Sequence, residues 1–181
     1  MEKVLSCYQM VTDVLARLII GVAAVIIGLD VLLLFAESVG RYILGSSRAF
    51  MEEFPRLLVP FVVFPMMGVL LKMGRHISVD VLPDRLNPKQ QTMLKILVYG
   101  IILAVAVELL IAGAAAVGHF KMMGLMSITE WTFPMWWVYL TFPLGFALLI
   151  IFVLEMLLRE CWRLYTIVRE EGGPDGKGVA P

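Results

Sequence analysis

Apolar residues fill four long stretches of the chain, and charged residues lie mostly between and beyond these stretches. A helix needs about 20 consecutive apolar residues to cross a bilayer. Stretches of this length run over about residues 18–36, 54–71, 94–117 and 133–158. The pattern predicts an all-α integral membrane protein with four transmembrane helices. These form one membrane domain, residues 1–171, followed by a flexible Gly- and Pro-rich tail, residues 172–181.

The composition excludes an ordinary soluble domain. Of the 181 residues, 60% are hydrophobic and 17% are charged, whereas soluble domains are nearer one half apolar and one quarter charged. A globule of this size cannot hide such an excess from water, but membrane lipids can surround it. Lys and Arg together number 15, as do Asp and Glu, so the charge gives no reason to expect a nucleic-acid partner.

The first apolar stretch is a retained span and not a signal peptide. It carries Asp30 and ends at Glu37 and Arg41, where a signal peptide would have a small-residue cleavage site. Upstream of it, apolar residues recur at helical spacing, which predicts a short amphipathic N-terminal helix at the membrane surface. The apolar positions are Val4, Leu5, Tyr8, Val11 and Leu15.

The distribution of Lys and Arg predicts the orientation, because basic residues accumulate in cytoplasmic segments. Eleven of the 15 basic residues precede the first span, separate the second from the third, or follow the fourth. The four others are Arg41, Arg48, Arg56 and Lys121. Both termini are therefore expected in the cytoplasm.

Helix signals mark the second and third spans. Pro60 and Pro65 each remove a backbone donor inside the second span, which favours a bent helix over a broken helix that lines a site. Asn87 as N-cap, Pro88 at the first helical position and Gln90 at the capping-box position predict the start of the third helix.

Several acidic residues need a structural or functional explanation. Asp30 and Glu108 lie within spans, where a charged side chain costs about 2.5–3.5 kcal/mol. A proton or cation path is one interpretation, but four spans favour helix or subunit contacts. Glu37 can pair with Arg41 one turn away.

Glu52 and Glu53 stand at the start of the second helix, where they complement its dipole. Glu52 can also pair with Arg56 at i,i+4. A docking role at the outer face is an equally open interpretation of this acidic pair.

The sequence predicts no catalytic residue, metal site or cofactor. His76 and His119 belong to opposite membrane faces and cannot share one haem iron. Cys7 and Cys161 lie near opposite chain ends, without a redox or zinc spacing. The common hydrolase and nucleotide-binding motifs are missing from the sequence.

Several weak motifs nevertheless follow one another in a recognisable order. They are Arg41, the run Glu52-Glu53-Phe54-Pro55-Arg56-Leu57, Gly68, the run Arg75-His76-Ile77-Ser78-Val79-Asp80, Ser127-Ile128, Pro134-Met135-Trp136, Tyr139 and Pro143-Leu144-Gly145. Together they resemble the small membrane subunit of tripartite ATP-independent periplasmic (TRAP) transporters. In that family a Trp usually precedes the acidic pair, where this chain has Phe50-Met51.

The resemblance implies a scaffold subunit in a bacterial or archaeal inner membrane. Its partners would be a large membrane subunit, which carries organic acids together with sodium, and a periplasmic substrate-binding protein. Expected periplasmic docking residues are Arg41, Glu52, Glu53, Arg56, Lys121 and Glu130. Expected helix or subunit contacts are Asp30, Glu37 and Glu108, and the family-motif cytoplasmic loop holds Arg75, His76 and Asp80.

Two other functions remain open at this point. One is a self-sufficient four-helix membrane redox protein, which would show haem or flavin absorbance or turn over a quinone. The other is a small homo-oligomeric carrier, which would transport in liposomes without any partner.

Overall fold

Four long helices correspond to the four predicted spans. The structure, a computed structural model, describes residues 2–45, 49–73, 87–127 and 132–171. In chain order the helices are α1 (Glu2–Leu44), α2 (Ala49–Lys72), α3 (Pro88–Met123), α4 (Trp136–Tyr139) and α5 (Thr141–Glu171). All but the short α4 are long and apolar enough to cross a membrane. The all-α architecture with four membrane helices is therefore confirmed, and the predicted tail lies outside the described residues.

The starts of α1 and α3 follow local signals. The amphipathic lead-in is helical, as predicted, but α1 runs without a break from Glu2 through the first span to Leu44. The lead-in is thus the beginning of the spanning helix and not a separate surface helix. α3 starts as predicted, with Pro88 at its first position, and the backbone N–H of Asn87 donates to Gln90 Oε1 at 3.4 Å.

α2 remains a single helix although it contains Pro55, Pro60 and Pro65. Each proline lacks an N–H and removes one bond from the helical ladder. Membrane helices tolerate such losses where neighbouring helices surround the freed carbonyls, and α2 packs against both α1 and α5. The continuous helix agrees with the expectation that this span is not broken into two halves.

Two glycines bring α2 and α5 into close contact. A Cβ at Gly145 of α5 would lie 2.8 Å from the carbonyl carbon of Phe64 and 2.9 Å from its oxygen. A Cβ at Gly68 of α2 would collide with the ring of Phe152 and lie 3.3 Å from Leu149 Cα. Small residues allow membrane helices to approach in this way, because van der Waals packing holds them together.

α5 is the central helix of the bundle and packs against α1, α2 and α3. Phe152 and Val69 are fully buried and meet Ala16 of α1. Toward the other end, the ring of Phe142 lies 5.0 Å from that of Phe64 and 4.8 Å from that of Phe146, both edge-to-face. Such aromatic pairs stabilise beyond their buried area.

The outer helices leave most of their apolar surface uncovered. In the most apolar window of each span, 6% of α1 residues and 11% of α3 residues are buried, against 39% for α5. Exposed side chains on α1 include Val25 and Leu32, and those on α3 include Ile101 and Ile111. These faces are free to meet lipid or another membrane protein.

We expect Gly145→Ala to destabilise the bundle, because the new methyl group would meet the backbone of Phe64. Overpacking of this kind costs about 1–3 kcal/mol. Thermal unfolding of the detergent-solubilised chain, followed by size-exclusion chromatography, measures the effect. Gly100→Ala is the matched control, since nothing lies within 4 Å of its added Cβ. Equal melting temperatures for the two variants would contradict the close approach of α2 and α5.

Candidate functional site

One predicted ion pair stands at the end of the bundle where α1 ends. Arg41 Nε donates to Glu37 Oε1 at 3.0 Å, and Arg41 Nη2 contacts the same oxygen. The Glu37 side chain is 8% exposed and that of Arg41 is 53% exposed. The spacing of four residues on one helix face produces this contact. Glu37 therefore has a charged partner within its own helix, while Arg41 reaches toward the exterior.

The end of α3 folds back onto the start of the fourth span at this same end of the bundle. Lys121 Nζ lies 5.4 Å from the ring centroid of Trp136, a cation–π contact. The rings of Phe120 and Tyr139 stack with centroids 4.0 Å apart and an interplanar angle of 7°. Ser127 N donates to Phe133 O at 2.9 Å across the intervening loop. These contacts hold Lys121 against the ring of Trp136, next to the stacked rings of Phe120 and Tyr139.

The predicted docking residues that the structure describes share one end of the bundle. Arg41 closes α1, Glu53 and Arg56 belong to the first turns of α2, and Lys121 lies near the end of α3. Arg41, Arg56 and Lys121 are exposed. Glu53 is half-buried, and its Oε2 has no hydrogen-bond partner among the described residues. The side chain of Glu52 and all of Glu130 lie outside the described part of the chain.

The two acids inside the spans have different surroundings. Asp30 of α1 is half-buried, and its Oδ1 is buried without a hydrogen-bond partner in the described part of the chain. Glu108 of α3 is exposed and thus faces away from the bundle. An ionised carboxylate in hydrocarbon is costly. The two positions therefore call for a proton, water or a partner from outside the described residues.

A partly buried ion cluster at the opposite end of the bundle joins α1, α2 and α5. Lys72 Nζ lies 2.6 Å from Asp13 Oδ1 and 3.0 Å from Glu155 Oε2, and it donates to Thr12 Oγ1 at 2.6 Å. The Glu155 side chain is only 4% exposed. Beside the cluster, Tyr8 donates its hydroxyl hydrogen to Ile151 O at 2.8 Å. This cluster fixes three helices at one level.

The sequence pattern does not predict this cluster, because Lys72 directly follows the second apolar stretch and counts only among the eleven basic residues of the segments expected in the cytoplasm. The signal that could have revealed it is Glu155, an acid within the apolar run of the fourth span. A buried acid in such a run requires a cation, and Lys72 ends the neighbouring helix.

The remaining predicted positions lie elsewhere. The family-motif loop with Arg75, His76 and Asp80 falls outside the described residues. His119 is exposed near the end of α3, and its Nδ1 lies 3.0 Å from Ala115 O. Within residues 2–45, 49–73, 87–127 and 132–171, no three His, Cys, Asp or Glu side chains cluster in a way that could hold a metal ion.

The fold and these contacts define a multi-pass α-helical membrane protein. The family of tripartite ATP-independent periplasmic transporters, DctQ component, matches residues 30–162 of the chain. The chain belongs to this family, and it is the small membrane component of a TRAP transporter in the inner membrane. The family consists of transporter components, which function with partner subunits, and is not a family of enzymes. A comparison with curated proteins found no match to this chain.

We expect Lys72→Met to lower the free energy of unfolding by about 3 kcal/mol, because Glu155 would remain buried without its cation. Lys72→Met/Glu155→Met should recover most of the loss, since an apolar pair of similar volume needs no compensation. Thermal unfolding in detergent measures both variants. Arg169→Met, which removes an exposed cation from α5, serves as control. A double variant no more stable than the single one would contradict the explanation that an unpaired, buried Glu155 causes the loss.

Proposed function

We propose that this chain is the scaffold subunit of a sodium-coupled TRAP importer of organic acids. It pairs with a larger membrane subunit that carries the cargo and the sodium ions. Its outer end helps to dock the periplasmic substrate-binding protein. Membership in the DctQ component family supports the assignment to such a transporter.

The observation that carries the proposal is the outward-facing acid on an otherwise apolar helix. Glu108 is exposed near the middle of the span formed by α3. On insertion scales, a charged group at this depth costs about 2.5–3.5 kcal/mol when lipid surrounds it. A second membrane protein that offers a hydrogen-bond donor or a cation removes this cost. We therefore assign the face of α3 that carries Glu108 to contact with the large subunit.

The interior of the bundle supports a scaffold and not a pathway. The buried polar side chains lie toward the two ends of the apolar stretches: Thr12, Thr92 and Glu155 at the level where α2 ends, and Glu37, Ser127 and Thr141 at the level where α1 ends. Between them, aromatic and aliphatic side chains such as Phe146 and Val153 fill the space between α2, α3 and α5. An ion or an organic acid needs polar groups along its route. Cargo thus belongs to the partner subunit.

The charged outer end supports the docking role. Arg41, Arg56 and Lys121 are exposed at this end, and the acidic pair Glu52-Glu53 lies on the first turns of α2. The distribution of basic residues supports an orientation with this end in the periplasm and both termini in the cytoplasm. Charges at the rim of an interface steer a soluble partner and fix its orientation.

We expect Glu108→Leu to reduce recovery of the large subunit about tenfold or more in an affinity pull-down of the tagged chain. Removal of one member of a buried charge pair at an interface costs about 2–5 kcal/mol. Mild-detergent extraction and quantitative mass spectrometry measure the recovery.

Val105→Leu is the matched control for this pull-down, because it places the same side chain one turn away on the exposed face of α3. It should leave recovery unchanged. Full recovery with Glu108→Leu would contradict contact between Glu108 and the large subunit. A wild-type chain that purifies alone and monodisperse would contradict the pairing itself.

We expect Glu52→Lys/Glu53→Lys to lower uptake by the assembled transporter about tenfold or more, since like charges placed across an interface cost several kcal/mol. Membrane insertion and recovery of the large subunit should persist. Proteoliposome uptake at increasing concentrations of binding protein measures the change, and the loss should shrink at high concentration. Glu170→Lys/Glu171→Lys reverses an equivalent acidic pair at the other end of the bundle as control. Unchanged uptake in the Glu52/Glu53 variant would contradict the docking role.

A further inference from the structure

A cavity of about 670 Å³ with both polar and apolar lining opens at the end of the bundle where α2 ends and α3 begins. All four spanning helices contribute to its lining, from Gln9 of α1 to Thr166 of α5. Four of its lining residues are cations: Lys72, Lys95, Arg159 and Arg163. The cavity lies apart from the proposed docking end and has no part in the scaffold role described above.

The charges that line the cavity do not balance within the described chain. Lys72 is paired with Asp13 and Glu155. Arg163 Nη1 lies 4.0 Å from Glu160 Oε2.

Lys95 and Arg159 form no ion pair with any carboxylate of the described residues. Two cations that share one cavity without a counterion among the described residues favour an anionic ligand, and basic pockets between membrane helices bind the phosphates of lipid headgroups.

Aromatic residues place the cavity at the level of lipid headgroups. Trp162 lines it, and the Trp162 ring stacks on that of Tyr165 with centroids 5.6 Å apart. Trp and Tyr concentrate at this level of membrane proteins, because their rings are apolar and their N–H or O–H groups are polar. On α3 and α5, Tyr99 and Met156 line the cavity one turn deeper than Lys95 and Arg159. At this level of a membrane, the phosphate groups belong to the headgroups of phospholipids.

One further group in the cavity requires a hydrogen-bond donor. Glu160 Oε2 is buried and has no hydrogen-bond partner among the described residues. Its side chain is 13% exposed. A ligand that binds both the two cations and Glu160 Oε2 carries a phosphate and, close to it, an N–H or O–H group. The ethanolamine and glycerol headgroups of phospholipids do so, whereas choline has no such hydrogen.

We propose that this cavity binds the headgroup of a phospholipid. Lys95 and Arg159 hold the phosphodiester, and Glu160 accepts a hydrogen bond from the ammonium or hydroxyl group of the headgroup. The lipid then lies between α3 and α5 as an integral part of the bundle end.

Binding of short-chain phospholipids to the purified full chain tests this site. The chain is held in a phosphate-free maltoside detergent, and native mass spectrometry follows titration with dihexanoyl phosphatidylethanolamine or phosphatidylglycerol. We expect Lys95→Gln/Arg159→Gln to weaken binding about 25-fold, because each cation near a membrane surface contributes a factor of about five. Lys95→Arg/Arg159→Lys should retain binding, which separates loss of charge from loss of fold.

The control Lys89→Gln/Arg169→Gln removes the same charge from exposed positions at this end, outside the cavity. Equal losses in this control and in the cavity variant would overturn the proposal in favour of unspecific attraction. Inorganic phosphate that binds as tightly as the lipids would overturn the lipid assignment. Dihexanoyl phosphatidylcholine that binds as tightly as phosphatidylethanolamine would overturn the role of Glu160.

Discussion

The close approach of α2 and α5 is the contact on which the rest of the bundle depends. Gly145 admits the backbone of Phe64, and Gly68 admits the ring of Phe152, so the two helices run side by side in one register. That register sets Lys72 beside Glu155 at one end of the contact. α1 and α3 then pack on this central pair. A membrane offers no hydrophobic force between helices, so shape complementarity of this kind determines their arrangement.

The interior of the bundle is closely packed, whereas its outer helices leave most of their apolar surface uncovered. Around Gly145 and Phe64, the contact between α2 and α5 is closely packed and apolar, whereas α1 and α3 present long apolar faces to the outside. Glu108 interrupts one of those faces. A helix surface that combines apolar area with one acid suits another protein better than it suits lipid. The same distribution supports the proposed scaffold role, in which the partner subunit carries the cargo.

The sequence predicted the parts of this structure that depend on local spacing. The four spans follow from apolar length, the Glu37–Arg41 pair follows from a spacing of four residues, and the start of α3 follows from Asn87. The partners of Lys72 do not follow from local spacing, because they lie on helices that are distant in the sequence; only the acid Glu155 within an apolar run indicates that a cation lies near it. The outward direction of Glu108 could not be predicted from the sequence either. α3 is apolar on nearly every side, so no apolar stripe distinguishes its buried face.

The central position of α5 has a consequence for biosynthesis. The helix that packs against α1, α2 and α3 follows all of them in the chain. A ribosome delivers the first three spans to the membrane before their common neighbour exists, and domains assemble as their segments emerge. α1 can pack against α2 as soon as both are inserted, whereas α3 lacks its main packing partner until α5 is inserted. Assembly of this bundle is therefore completed late. A nascent chain that lacks α5 exposes the surfaces that the finished protein buries, and membrane quality-control proteases can recognise these surfaces.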